Sequence, residues 1–308
     1  MAKKQTALVI GGSGFLGGHI ADELHRQGYA VTIFDRSAPT FEHPGYAFIQ
    51  GSLTDPEAVH AAVAGMDYVY HFAGVADIGE AAANPVLTAQ VNVMGTIYVL
   101  EACRAHGVKR LMYASTIYVY SAHGSFYKVS KQSTELFIEN YFQEYGLRYT
   151  VLRYGSLYGR RSNHFNFIGK SVEQALTKGK IKRRGNGEEV RDYINVLDAA
   201  RSSVALLKSE QPTEYVMLTG HQTYRVKDIL AMIQEMFGAN LELEYTDDRD
   251  AGHYMITPYA FRPKVARKYV LDYYHDLGQG ILDVIYETHE RLVQEGVPLV
   301  NAELPKSN

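Results

Sequence analysis

Residues 7–25 constrain the fold of this chain more than any other stretch. They read ALVIGGSGFLGGHIADELH, in which four apolar residues lead into a glycine-rich turn and then into apolar residues at helical spacing. The glycines Gly11, Gly14 and Gly17 recur at every third position. Such a turn lets a phosphate approach the main chain, and the free N–H groups at the start of the helix then face the anion. The stretch therefore predicts a strand, a turn and a helix that bind a pyrophosphate.

A carboxylate ends the next apolar run. Residues 30–34 are followed by Asp35, about twenty residues after the glycine turn, which is the spacing of a dinucleotide-binding unit. A carboxylate there accepts hydrogen bonds from the hydroxyls of the adenosine ribose, whereas the 2'-phosphate of NADP would meet a like charge. We therefore expect NAD rather than NADP as the cofactor, although Arg36 beside Asp35 weakens this preference.

Short β-rich runs alternate with helical patterns from residue 6 to about residue 153. Strands are predicted at residues 6–10, 30–35, 47–50, 68–72, 110–115 and 148–153, and helices at residues 55–64, 85–106 and 128–145. Strands separated by helices become parallel neighbours joined by right-handed crossovers. The predicted fold class is α/β, with a Rossmann-type doubly wound parallel sheet that binds its ligand at the carboxyl ends of the strands.

The pattern loosens after Tyr154, and a smaller C-terminal α/β lobe for the substrate is expected there. Helices are predicted at residues 165–178, 196–208, 226–237 and 277–295, and a strand near residues 215–218. The predicted domains are residues 1–155, which bind NAD, and residues 156–308, which bind the substrate. Residues 190–218 are expected to return to the first domain, so that the two are partly interleaved.

The bulk composition disfavours several classes of partner. The chain has 308 residues, of which 46% are hydrophobic, and a formal net charge of -3, so its overall charge does not favour a nucleic-acid partner. Residues 1–6 lead into a short strand that breaks at Gly11, so neither a signal peptide nor a membrane span is expected. No metal is expected.

The single cysteine, Cys103, rules out a disulfide within the chain, and a cytoplasmic location is expected. Cys103 lies in an apolar helical pattern, so we expect a packing residue rather than a nucleophile. One basic cluster stands out against the balanced charge and is expected to form a solvated loop. It consists of Lys178, Lys180, Lys182, Arg183 and Arg184.

Tyr127 and Lys131 are four residues apart at the start of a predicted helix, and therefore lie on one of its faces. The strand before them ends with Ser115 and Thr116 at the carboxyl edge of the sheet. A tyrosine beside an ammonium group suits the removal of a hydroxyl proton, because the ammonium and the positive nicotinamide of NAD both lower the tyrosine pKa from about 10 toward the working pH. We therefore predict Tyr127, Lys131 and Thr116 as catalytic residues; the alternative is an amphipathic helix with a surface lysine and a half-buried tyrosine.

Several motifs along the chain, including those described above, are typical of one protein family. They are Gly11 to Gly17, Asp35, Gly51 to Asp55, His71 to Gly74, Asn92 with Gly95 and Thr96, Ser115 with Thr116, Tyr127 with Lys131, Leu152 to Tyr154 with Tyr158 and Gly159, and Arg191 to Tyr193 with Val196 and Asp198. In these motifs the sequence resembles the extended short-chain dehydrogenases/reductases of the NAD-dependent nucleotide-sugar epimerase/dehydratase family. The resemblance is strong from residue 6 to about residue 207 and weak afterwards.

The resemblance implies two sets of binding residues. The expected cofactor contacts are Gly11, Gly14, Phe15, Leu16, Gly17, Asp35, Ser52, Leu53, Phe72, Ala73, Gly74, Asn92, Ser115, Tyr127, Lys131 and Tyr154. The expected substrate contacts are Thr116, Ser156, Arg191 and Arg262. Arg191 and Arg262 suit the diphosphate of a nucleotide sugar, since guanidinium groups pair with phosphate through two hydrogen bonds.

Two observations favour one activity within this family. Residues 71–80 are similar to the corresponding stretch of UDP-hexose 4-epimerases. In addition, no aspartate or glutamate lies between Thr116 and Tyr127, where dehydratases and decarboxylases of the family carry an acid; His123 in this segment is expected to be an ordinary loop residue. The resemblance therefore implies a nucleotide-sugar 4-epimerase that works through a transient 4-keto sugar.

Two alternatives remain at this point. One is a nucleotide-sugar reductase or dehydrogenase with net turnover of NAD(H), and the other is a catalytically silent NAD-binding scaffold. The family also implies a homodimer formed through the predicted helices 85–106 and 128–145.

Overall fold

The computed structural model describes residues 4–41, 43, 45–163, 165–220, 223–237, 241–246, 255, 293–294 and 296. The chain divides into two compact units, Met1–Arg262 and Pro263–Asn308, and the strands and helices named below belong to the first. The predicted helix 277–295 falls almost entirely outside the described residues, and Arg262 also lies outside them. The boundary predicted between residues 155 and 156 stays a prediction.

The first unit contains twelve strands among its described residues. In chain order they are β1 (Thr6–Ile10), β2 (Ala30–Asp35), β3 (Ala47–Gln50), β4 (Tyr68–His71), β5 (Arg110–Thr116), β6 (Tyr149–Tyr154), β7 (Ser156–Tyr158), β8 (Lys180–Arg184), β9 (Val190–Asn195), β10 (Thr213–Leu218), β11 (Thr223–Arg225) and β12 (Glu242–Thr246).

Seven of these strands form a parallel sheet in the order β10-β6-β5-β4-β1-β2-β3. The strand β1 lies inside this sheet, and Ala7, Leu8 and Val9 are fully buried, because a parallel strand covered on both faces needs a continuous apolar run. The order of the strands reverses between β1 and β4, so the carboxyl ends of these strands open onto one crevice. The predicted α/β fold is confirmed.

Nine α-helices flank the strands in the described residues. They are α1 (Phe15–Arg26), α2 (Pro56–Val63), α3 (Ile78–Ala83), α4 (Pro85–Thr88), α5 (Gly95–His106), α6 (Ser125–Tyr145), α7 (Phe167–Lys178), α8 (Val196–Ala205) and α9 (Val226–Phe237). Helix α4 continues into α5 through a π-helical stretch, Ala89–Met94, and a 3-10 turn, Ile117–Tyr120, follows β5. Helices α1 and α8 pack together on one face of the sheet, and α2, α5 and α6 contact each other in sequence on the other.

Local signals explain where these helices begin and end. The carboxylate of Asp55 accepts hydrogen bonds from the N–H groups of Glu57 and Ala58 and so caps α2. Helices α5 and α6 each end at a glycine in the left-handed conformation, Gly107 and Gly146.

Cys103 in α5 is fully buried, and burial raises the pKa of its thiol, which confirms the packing role expected from the sequence. Residues Pro85–His106 are long and apolar enough to cross a membrane, with a mean hydropathy of 1.3 over their most apolar 18 residues, yet they pack against α2 and α6 as a core helix does.

The expected loop at the basic cluster is wrong. Residues Lys180–Arg184 form strand β8, which pairs in parallel with β12 in a small two-stranded sheet. Lys180 and Lys182 reach Glu244 of β12 at 2.5 and 3.2 Å. The lysines alternate with buried Ile181, and this cross-strand charge pairing stabilises a strand that its own composition disfavours.

Candidate active site

The turn between β1 and α1 forms a cradle that only glycine permits. Gly11 has a φ of +84°, and a Cβ atom on it would lie 2.5 Å from the amide nitrogen of Ala73. A Cβ atom on Gly17 would lie 2.2 Å from the carbonyl oxygen of Gly11. Helix α1 begins after Gly14 without a side-chain cap, and the hydroxyl oxygen of Ser13 is buried without a partner among the described residues. These features fit a pyrophosphate bound at the start of the helix.

Asp35 lies beside this cradle, as its spacing predicts. Its carboxylate accepts hydrogen bonds from the backbone N–H of Ser13 at 3.1 Å and of Ser37 at 3.3 Å. Each carboxylate oxygen has a second lone pair, so the group retains acceptors for the ribose hydroxyls of NAD. The cradle and Asp35 therefore fit the pyrophosphate and the adenosine ribose of a dinucleotide.

Other predicted cofactor residues line the neighbouring strand ends. The N–H groups of Phe72 and Ala73 both donate to the carbonyl of Ile10, at 2.8 and 3.0 Å, so the turn after β4 lies against the glycine turn. Leu53 is buried against Gly95, and Ser52 forms a hydrogen bond with Thr54 at the turn that leads into α2.

Two more predicted contacts open helix α1. Leu16 packs against the core on the α1 side of the sheet, and the ring of Phe15 lies 6.2 Å from that of His19.

Asn92 contacts the protein rather than open space. Its Oδ1 accepts a hydrogen bond from the N–H of Val75 at 2.7 Å, and its Nδ2 donates to the Val75 carbonyl and to the Ser130 hydroxyl at 3.0 and 2.9 Å. A Cβ atom on Gly74, which has a φ of +157°, would lie 2.8 Å from Oδ1. Asn92 therefore joins the turn after β4 to helix α6; Ser130 is a residue that sequence analysis missed.

The structure brings Thr116, Tyr127 and Lys131 together at the carboxyl end of β5. The Thr116 hydroxyl accepts a hydrogen bond from the N–H of Tyr118 at 3.2 Å and acts to lower the pKa of the neighbouring Tyr127 phenol. Because that N–H occupies an acceptor site, the Thr116 proton is available to the phenol oxygen. The Lys131 ammonium lies 6.0 Å from the Tyr127 ring centre and donates to the Ala114 carbonyl at 2.8 Å.

The electrostatics of this cluster differ from the expectation. Burial raises the pKa of Tyr127 to about 12, and the Thr116 hydroxyl opposes this change, so the protein's own groups do not by themselves produce the expected lowering. Burial likewise lowers the pKa of Lys131 to about 8, and the nearby Glu135 opposes this change. The physical reason is that removal from water disfavours the charged form of both groups.

The side chains of two predicted cofactor residues, Ser115 and Tyr154, bind other side chains of the protein. The Ser115 hydroxyl donates to Glu135 Oε1 at 2.5 Å, and the phenol oxygen of Tyr154 lies 2.6 Å from the Ser203 hydroxyl in α8. Glu135 in turn pairs with Arg153 at 2.6 Å. Sequence analysis assigned no role to Glu135, although its position four residues after Lys131 places it on the same helix face.

Two of the predicted substrate residues, Ser156 and Arg191, lie in a second, three-stranded sheet ordered β11-β9-β7, whereas Thr116 ends β5 of the large sheet. Arg191 is buried in β9, where its guanidinium donates to the Val190 carbonyl at 3.0 Å. Ser156 is half-buried in β7 and pairs with Tyr193 of β9. His123 is exposed, and its backbone N–H donates to Ser121 at 2.9 Å, so it is the loop residue that was expected.

The sequence was compared with known protein families and proteins. The model of the NAD dependent epimerase/dehydratase family matches residues 7–217. The chain is 28% identical over 271 residues to a putative UDP-glucose 4-epimerase of Methanocaldococcus jannaschii, a match that covers 81% of this chain and 88% of that protein. It is 32% identical over 216 residues to the dTDP-glucose 4,6-dehydratase of Mycobacterium tuberculosis, covering 62% of this chain and 65% of that protein.

A solved structure supports the same assignment. The UDP-glucose 4-epimerase of Thermus thermophilus, in complex with NAD, superposes with a TM-score of 0.75 at 28% identity, covering 85% of this chain and 95% of that chain. The matched region includes the glycine cradle, Asp35 and the cluster at the end of β5. The chain therefore belongs to the NAD-dependent epimerase/dehydratase family, and its cofactor is NAD.

Proposed function

We propose that this protein is a nucleotide-sugar 4-epimerase that acts on a UDP-hexose-like substrate through a transient 4-keto sugar. The observation that carries the proposal is the pairing of Tyr127 with Lys131, 6.0 Å from its ring centre, beside Thr116 at a strand end that shares the crevice of the glycine cradle. The UDP-glucose 4-epimerases among its relatives support the same activity.

The side chains of this cluster have separate tasks in the reaction. Thr116 holds the 4-hydroxyl oxygen of the sugar, and Tyr127 removes the proton from that oxygen. When bound in the cradle of Gly11, Gly14 and Gly17 beside Asp35, NAD would supply reversible hydride transfer at C4 of the sugar. Tyr127 then gives the proton back, so that the cycle leaves the redox state of the protein unchanged.

A positive Lys131 assists proton removal by favouring the phenolate form of Tyr127. Burial works against this form, since it raises the pKa of Tyr127 to about 12 in the protein alone. The charge of the lysine therefore matters for the reaction, and its own lowered pKa of about 8 sets an upper limit to the useful pH.

The segment between Thr116 and Tyr127 favours epimerisation over dehydration. It forms the 3-10 turn Ile117–Tyr120 and a short loop, and it contains no carboxylate that could move a proton at a neighbouring carbon. The carboxylate of Glu135 pairs with Arg153 and accepts the Ser115 hydroxyl, so it is engaged within the fold. The dehydratase relative represents the other branch of the family.

Arg191 is proposed to hold the diphosphate of the substrate. A guanidinium group pairs with phosphate through two parallel hydrogen bonds. Binding energy spent on the nucleotide diphosphate leaves the keto sugar free to turn over between the two hydride transfers.

Incubation of the purified protein with UDP-, GDP-, CDP- and dTDP-sugars tests this function. Proton NMR is expected to show inversion at C4 of a UDP-hexose without a lasting change in absorbance at 340 nm. Stoichiometric change at 340 nm would instead identify a reductase or dehydrogenase, and a new methyl signal at C6 would identify a dehydratase. If the protein bound NAD but formed no product from any of these sugars, the result would indicate a catalytically silent NAD-binding scaffold.

We also propose a homodimer, formed through helices α4 and α6 and the π-helical stretch between α4 and α5, whose exposed apolar side chains we call the apolar helix surface. Its large exposed apolar side chains are Val86, Leu87, Met94, Phe126, Val129, Leu136, Phe137 and Tyr145. Apolar surface of this extent on neighbouring helices is typical of an interface between protein chains. The proposed location is the cytoplasm, since the lone Cys103 permits no disulfide within the chain.

A further inference from the structure

Glu135 occupies a position between two cations on the α6 side of the sheet. It lies one helical turn after Lys131, at the spacing that brings side chains together on a helix face. Its carboxylate binds Arg153 through two hydrogen bonds, Nε to Oε1 at 3.1 Å and Nη2 to Oε2 at 2.6 Å. The side chain of Glu135 is 8% exposed, so water screens these charges weakly.

The carboxylate is held in place from several directions. The Ser115 hydroxyl donates to Oε1 at 2.5 Å, from the carboxyl end of β5. Arg153 lies between the rings of Tyr120 and Tyr215, at 4.9 and 4.6 Å from their centres, and also donates to the Tyr120 hydroxyl. Arg153 is therefore held in place by its own neighbours. Through its two hydrogen bonds it also holds the Glu135 carboxylate in place.

Apart from Glu135 and the Arg153 guanidinium bound to it, the groups around the Lys131 ammonium are neutral. It donates to the Ala114 carbonyl and lies 4.7 Å from the centre of the Tyr113 ring. The phenol of Tyr127 and the imidazole of His71 are the other titratable groups that face it, and burial lowers the pKa of His71 to about 3, so this ring is uncharged. Among the described residues, Glu135 is the one carboxylate that acts on the charge of Lys131.

We propose that Glu135 is a positioning residue that keeps Lys131 in its charged form, while Ser115 and Arg153 hold the Glu135 carboxylate where it can do so. The proposal rests on the proposed function, in which a charged Lys131 assists Tyr127. Burial already lowers the pKa of Lys131 to about 8 with the carboxylate present. Without that negative charge the lysine would lose its proton within the neutral range.

The decisive measurement is the titration of Lys131 itself. Full-length protein labelled with 13C at lysine Cε is titrated by NMR, and Lys131→Met identifies the signal. We expect a midpoint near pH 8 in the wild type, and Glu135→Gln is expected to lower it by about one pH unit. An unchanged midpoint in Glu135→Gln would overturn the proposal.

A matched control separates this charge effect from the general loss of an ion pair. Glu23 of α1 is also 8% exposed at its side chain and also binds an arginine, Arg26, through two hydrogen bonds. Glu23→Gln is expected to leave the Lys131 midpoint unchanged. Should Glu135→Gln fail to fold, Glu135→Asp retracts the carboxylate by one methylene, and a midpoint equal to that of the wild type would then refute the proposal.

Activity provides a second readout. The alkaline limb of the pH profile of kcat/KM is expected to move to lower pH by the same interval in Glu135→Gln, so that its deficit is about tenfold greater at pH 9 than at pH 6. A deficit that is constant with pH would indicate a purely structural role and contradict the proposal. If no nucleotide sugar is turned over by the wild type, the proposed function fails, while the NMR titration still decides the role of Glu135.

Discussion

Asn92 and Val75 form a reciprocal pair of hydrogen bonds, 2.7 Å from the Val75 N–H to Oδ1 and 3.0 Å from Nδ2 to the Val75 carbonyl. In this pair the side-chain amide of Asn92 binds both backbone groups of Val75, in the turn after β4. Nδ2 also donates to Ser130 in α6. Asn92 therefore fixes the position of the turn that borders the cofactor cleft relative to the helix that carries Tyr127.

Asn92→Asp is expected to lower the free energy of unfolding by about 2 kcal/mol or more. The second carboxylate oxygen would face the Val75 carbonyl at a site that is 2% exposed, and a buried charge opposite a carbonyl oxygen is costly. Urea denaturation measures the change. Asn140→Asp, on the exposed face of α6, is the control and is expected to change stability by less than about 0.5 kcal/mol. Equal stability of the two variants would contradict the role of the Asn92 pair.

Gly17→Ala is expected to abolish NAD binding measured by calorimetry. Its Cβ atom would lie 2.2 Å from the Gly11 carbonyl, so α1 must move away from the phosphate cradle. Gly107→Ala is the control, because its Cβ atom meets no neighbour although its φ is +64°. It is expected to cost about 1 kcal/mol of stability without affecting NAD binding. Normal NAD affinity in Gly17→Ala would refute the proposed position of the pyrophosphate.

Tyr127→Phe is expected to reduce kcat for epimerisation by about 10² to 10⁴, because it removes the phenol oxygen that accepts the proton. NAD affinity and the unfolding transition should stay close to those of the wild type. Tyr29→Phe, at the opposite end of the sheet, provides the comparison and should retain full activity. Substantial turnover by Tyr127→Phe would require another base.

Lys131→Met is expected to be inactive yet more stable than the wild type at pH 7, by about 2 kcal/mol. The folded state loses the Lys131 proton near pH 8, whereas the unfolded chain keeps it up to about pH 10.5. The penalty for burying the charge is therefore complete below pH 8 and fades as the pH rises from 8 toward 10.5, so the advantage of the variant should shrink over that interval.

Urea denaturation at pH 7, 8, 9 and 9.5 follows this change. Lys109→Met is the control, since its partner Asp67 raises the pKa of Lys109 and the side chain is 54% exposed. This variant should show no gain in stability at pH 7. A constant difference between Lys131→Met and the wild type across the pH range would contradict the lowered pKa of Lys131.

Leu136→Glu is expected to convert the proposed dimer into a monomer. Leu136 is 60% exposed on the apolar helix surface, and a charge there would be buried unpaired in an interface between two copies. Sedimentation velocity at micromolar concentration measures the change. Leu176→Glu, at a 70% exposed position of α7, should leave the association state as in the wild type. A wild-type monomer would refute the dimer.

Several parts of the fold were predictable because neighbouring residues in the sequence determine them. Strands β1, β2 and β3 have the predicted bounds, and the other predicted strands of the large sheet agree within about two residues. Each is a short run of apolar or β-branched residues between turn signals, which needs no information from distant parts of the chain.

Strand β8 was not predictable in this way. Its residues Lys180–Arg184 are mostly basic, and the carboxylates that pair with them lie about sixty positions later in β12. The contacts of Asn92 with Val75 and Ser130 are also between distant residues, and sequence spacing indicated none of them.

The sequence by itself determined the Rossmann-type core, the glycine cradle, the carboxylate beside it and the one-turn spacing of Tyr127 and Lys131, since all of these depend on local pattern. Only the tertiary structure decided the charge state of the cluster. Burial at the sheet edge opposes ionisation of both Tyr127 and Lys131, and the neighbouring Glu135 acts in favour of the charged lysine. These effects depend on distance from water and from other charges, which the order of residues does not state.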